Sequence, residues 1–85
     1  MNTLTLEREV SMSTQMQDVI LDITWSKIAQ RYFPDKSVPW FYNKMRGVDG
    51  NGGEGGFTLE ERIRLRNALR DFAERIIVVA ENIEI

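Results

Sequence analysis

The sequence predicts an all-α fold: one small domain of four helices, arranged around a helix-turn-helix unit. Three observations carry that expectation. Apolar residues recur at helical spacing in four segments, and a proline break at Phe33-Pro34 divides the central amphipathic stretch into two short helices. A capping box at Thr58 then opens a much longer helix. The expected helices cover residues 13–22, 25–33, 38–46 and 59–82, residues 48–57 form a Gly-rich loop, and residues 1–5 fray.

The first helix rests on Leu6, Val10, Met12, Met16, Val19, Ile20 and Ile23. Spacing is clearest from Ser13 to Asp22, while Ser11, Ser13 and Thr14 are all suitable caps, so a start near Thr5 stays open beside a start at Ser13. The methionines read as core filling.

In the second helix Trp25, Ile28, Ala29 and Tyr32 fall at i, i+3, i+4 and i+7, leaving Ser26, Lys27, Gln30 and Arg31 outward. Thr24 is the expected N-cap, its hydroxyl accepting a first-turn amide. Pro34 lacks an N–H and disfavours helical geometry at Phe33, so the chain turns through Asp35 and Lys36. Ser37-Val38-Pro39 restarts it, with Ser37 or Val38 as cap. Val38, Phe41, Met45 and Val48 form the inward stripe of the third helix. Pro39, Trp40, Asn43 and Arg46 point away, with Tyr42 and Lys44 at the margins, and Gly47 closes the helix.

Thr24 five residues before Ala29, and a closing Gly47, resemble the lambda-repressor and Cro-like helix-turn-helix superfamily. The runs IAQRYF, WFYNKMRG, FTLEE and RNALRDFAERI around the Gly-rich loop resemble a small bacterial family of unknown function assigned to that superfamily. The resemblance spans roughly Thr24 to Ile76. Pro34, Asp35 and Lys36 make the turn longer than the superfamily's short glycine-containing turn, and Lys44 stands where an aliphatic residue is often found.

After Gly47, VDGNGGEGG reads as a flexible connector, because it lacks the lysine and the strand context of a nucleotide-binding loop. In the last helix Thr58 and Glu61 cap each other, and Leu65, Leu69, Phe72, Ile76 and Ala80 make a core-facing stripe flanked by Ile63 and Ala68. Arg62, Arg66 and Arg70 line one flank with Arg64 nearby, a solvated surface partly paired with Asp71 and Glu74 or else a phosphate-contacting one. The run IIVVA, residues 76–80, covers more than one helix side, and four of its residues are β-branched. A helical contact with a second subunit, through Ile77 and Val78, and a terminal strand both fit. The stripe stays in phase through Ile76, Ala80 and Ile83, which favours the helical homodimer.

The absence of cysteine and histidine removes disulfides, thiolate and imidazole ligands and the usual general base. No catalytic, cofactor-binding or metal-binding residues are therefore expected, and an enzyme is disfavoured. No signal-peptide pattern or membrane-length apolar run is present, so a cytoplasmic protein without a membrane partner is expected. The net charge is −2, yet from Thr24 to Gly50 five bases face two acids. That local excess makes duplex DNA the expected partner. Trp40, Asn43 and Arg46 are the expected base contacts, and Lys27, Arg31, Lys36 and Lys44 the phosphate contacts. The alternative is a protein-interaction module anchored by the adjacent aromatics Trp40, Phe41 and Tyr42.

Overall fold

The structure is a computed structural model that describes residues 11–47 and 55–85, and among them every regular element is helical. Four helices follow in order: α1 (Met12–Gln15), α2 (Trp25–Tyr32), α3 (Val38–Arg46) and α4 (Leu59–Glu81). The expected fraying of residues 1–5, the inward place of Val48 and the loop before Gly55 lie outside the described residues.

The expected first helix is cut short. Ser11 caps α1 by accepting from the Thr14 amide, but residues 16–22 continue as turns with amide bonds from Val19 to Met16 and from Asp22 to Val19. The Trp25 indole N–H donates to the Ile20 carbonyl at 2.7 Å and so ties these turns to the start of α2. Met16, Ile20 and Ile23 still pack on the core, whereas Leu21 is 95 % exposed.

Helix α2 begins after Thr24 as expected, but the Thr24 side chain makes no cap hydrogen bond. Phe33 ends it, and the Lys36 amide closes the turn on the Phe33 carbonyl at 3.0 Å. Ser37 caps α3 through the Trp40 amide, leaving Val38 and Pro39 in the first turn, where the missing proline N–H costs nothing. Gly47 closes α3 in the left-handed region at φ 81°, and the Gly55 amide returns to its carbonyl at 3.1 Å. Thr58 and Glu61 form the full capping box at the start of α4.

The core is aromatic at its centre. Phe33 and Phe41 are fully buried, Phe57 nearly so, and their rings lie 5.4 to 6.4 Å apart. Trp25 stacks on Phe41 from one side, and Trp40 meets Phe33 and Phe57 from another. Ile28, Ala29, Met45, Leu65 and Ala68 complete the buried set, while Tyr32, Leu69 and Phe72 are only partly buried. Phe33 and Phe57, read from sequence as a helix stop and a loop end, are thus core residues. The stripe of α4 faces the core only as far as Phe72; Ile76 and the residues beyond it stand in solvent.

Candidate nucleic-acid interface

Helix α3 divides its residues sharply. Phe41 and Met45 are turned into the core, and Pro39, Tyr42 and Arg46 are exposed, with Asn43 half-buried beside them. Positions 43 and 46 lie three apart, so a helix sets them side by side. There the Arg46 guanidinium donates to the Asn43 Oδ1. That bond fixes the two side chains relative to each other and uses one of the five guanidinium N–H donors.

Trp40 is not turned outward. Its ring packs 5.8 Å from Phe33 and 6.0 Å from Phe57, and the Lys36 and Lys44 ammonium groups lie over it at 5.2 and 5.6 Å. The physical reason is the loop residue Phe57, which supplies an apolar wall that no helical period at residues 38–46 reveals.

The expected phosphate anchors separate into groups. Lys36 is exposed beside Trp40. Lys44 is committed within the fold: it donates to the Gly56 carbonyl at 3.2 Å and pairs with Glu61 at 3.1 Å, fastening α3 to the start of α4. Burial works to raise the Glu61 carboxyl pKa, but the Thr58 amide and the Lys44 ammonium outweigh it and hold the group below its usual range. Lys27 and Arg31 lie elsewhere, lining a shallow groove with Phe72 and Arg75.

Arg64, beside the basic line of α4 in the sequence, is a structural residue. Its Nε donates to the Tyr32 carbonyl at 3.1 Å, its guanidinium pairs with Asp35, and it stacks 4.5 Å from the Phe33 ring centre. It therefore satisfies the carbonyl end of α2 and binds the turn to α4. The Asp35 carboxyl is held below its usual range, chiefly by this hydrogen bond. Among the described residues Asp71 pairs with no arginine; it accepts from the Tyr32 hydroxyl at 2.6 Å, which Arg75 also contacts. The spacing of Arg64 from Asp35, 29 residues, is the reason no local pattern reveals the clamp.

Among the described residues no group of acidic side chains is arranged to hold a metal ion, and no helix is long and apolar enough to cross a membrane. Ile77 and Val78, the expected subunit contacts, are both more than half exposed.

Residues 12–83 match a family model described as a domain of unknown function, DUF5053. No curated protein and no solved structure matches the chain.

Proposed function

The chain belongs to this domain-of-unknown-function family, and we propose that it binds duplex DNA through α3, as a small regulator built on a helix-turn-helix of the lambda-repressor and Cro-like kind. The observation that carries the reading is the Asn43–Arg46 pair on the outer side of a helix whose opposite side is fixed in the core. Asn suits the adenine edge and Arg the guanine edge, each by two hydrogen bonds, and mutual hydrogen bonding reduces the entropy lost when both side chains are ordered in the major groove. Lys36, at the turn just before α3, supplies a phosphate contact beside the groove, and Lys27 and Arg31 supply further ones from α2. Lys44 acts by holding α3 in place. Trp40 serves as the apolar platform under Lys36.

A second reading, a protein-interaction module on the same fold, draws support from the commitment of Lys44 and Arg64 to Glu61 and Asp35, which thins the positive field.

Selection from random duplexes at low and moderate salt tests the proposal. Enrichment of a defined site, with retention falling steeply as salt rises, is the expected result. Arg46→Ala should then cost about 1–3 kcal/mol at one base pair, whereas Lys36→Ala should weaken all sequences alike. No enriched sequence and no salt-sensitive retention would leave the protein-interaction reading in its place.

A further inference from the structure

Past Phe72, α4 leaves the body of the domain. Ile76, Ile77, Val78 and Val79 are 52 to 63 % exposed, a contiguous apolar stretch in water of the kind that marks an interaction surface. At about 100° per residue, Leu69, Ala73, Ile76, Ile77 and Ala80 share one side of α4, whereas Val78 and Val79 fall off it. Towards the start of α4 the same side becomes a groove of about 530 Å³ against α1, lined by Met12, Met16, Ile63 and Leu69 together with Arg62, Arg66 and Arg70. Arg64 and Arg75 are committed to Asp35 and Tyr32, but the side chains of Arg62, Arg66 and Arg70 have no ion pair or hydrogen bond among the described residues. Glu74, Glu81 and Glu84, towards the other end, equally lack partners there.

This single side therefore carries Arg62, Arg66 and Arg70 before Ala73, apolar residues along its length, and the Glu81 carboxylate at its margin after Ala73. We propose that it is a self-complementary surface occupied by a second copy of this chain, with the two α4 helices antiparallel and the two-fold axis near Ala73. Arg66 lies seven residues before Ala73 and Glu81 eight after, so the antiparallel arrangement brings Arg66 of each copy beside Glu81 of the other. Leu69 and Ile77, each four residues from Ala73, meet in the same way, and the small Ala73 lets the helices approach closely at the axis. A parallel pairing sets arginine against arginine. Leu59, Ile63, Ile76, Ile77 and Ile83 leave on the order of 500 Å² of residue surface in water per copy, and the flanking charged residues bring the total towards the about 800 Å² per partner of a stable interface. Of the two contact residues expected from sequence, Ile77 lies on this side and Val78 does not.

The inference stands apart from DNA binding, because its test contains no DNA. Sedimentation equilibrium of the full chain should show a dimer, which Ile77→Lys converts to monomer and Val78→Lys leaves intact, with helical content unchanged by circular dichroism. Arg66→Glu and Glu81→Arg should each weaken association roughly tenfold, and the double variant should recover it. A monomeric unmodified chain at high concentration overturns the proposal. So does a dimer disrupted by Val78→Lys but not Ile77→Lys, or a double variant no better than the single ones, since another surface or orientation then makes the contact.

Discussion

Replacing Phe41 with alanine tests the core where its packing is densest. The ring is fully buried and lies 5.4 to 6.4 Å from those of Phe33, Phe57, Tyr42 and Trp25. Truncating a buried phenylalanine costs about 3–5 kcal/mol, and the loss of several edge and stacked ring contacts places this site near the upper half of that range, about 4 kcal/mol. A domain of this size has roughly 4–13 kcal/mol in total, so the variant loses a third of its stability or nearly all of it. At about 4–8 °C per kcal/mol the melting temperature falls by roughly 15–30 °C. Urea unfolding followed by tryptophan fluorescence measures the loss, because Trp25 and Trp40 both border the cluster. Phe33→Ala should match it, while Leu21→Ala, at a site 95 % exposed, should stay within about 0.5 kcal/mol. A loss below about 1 kcal/mol at both Phe41 and Phe33 would refute the aromatic centre and the orientation of α3 with it.

The caps give a paired expectation: Thr58→Ala, which removes one arm of a complete capping box, should cost about 1 kcal/mol in thermal unfolding, whereas Thr24→Ala should be nearly neutral because its side chain makes no cap bond. Gly47→Ala should destabilise by about 1 kcal/mol through its left-handed backbone alone, since an added Cβ meets the Ser11 Cβ at an ordinary 3.6 Å; an unchanged urea midpoint would argue against that turn. The depressed Glu61 carboxyl contributes stability that is present above its ordinary value of 4.5 and is lost as pH falls through the lower folded value. Glu61→Gln should therefore flatten the acid side of the stability profile between wild-type and variant, and parallel profiles below pH 4.5 would exclude that contribution.

Local chemistry by itself determined the end of α3 and the start of α4. Gly47, Thr58 and Glu61 act on amides and carbonyls within four residues of themselves, so their roles in α3 and α4 were legible without any knowledge of packing, whereas the sequence leaves the cap of α3 open between Ser37 and Val38 and the Trp40 amide on Ser37 decides it. The inward places of Ile28, Ala29, Phe41, Met45 and Leu65 were legible too, because a helix turns residues of that spacing to one side. Tertiary structure decided what the remaining groups do. Phe57 leaves a loop with no period to mark it, and its arrival beside Phe33 is what draws Trp40 inward. The first helix stops at Gln15 although the helical period continues to Ile23, and Met16, Ile20 and Ile23 reach the core from turns instead. Arg64 and Lys44 read as surface charge in the sequence and became clamps only when α4 docked on α2 and its start came within reach of Lys44. The division is one of range: capping and periodicity depend on neighbours along the chain, whereas a hydrogen bond across 29 residues depends on how whole helices meet.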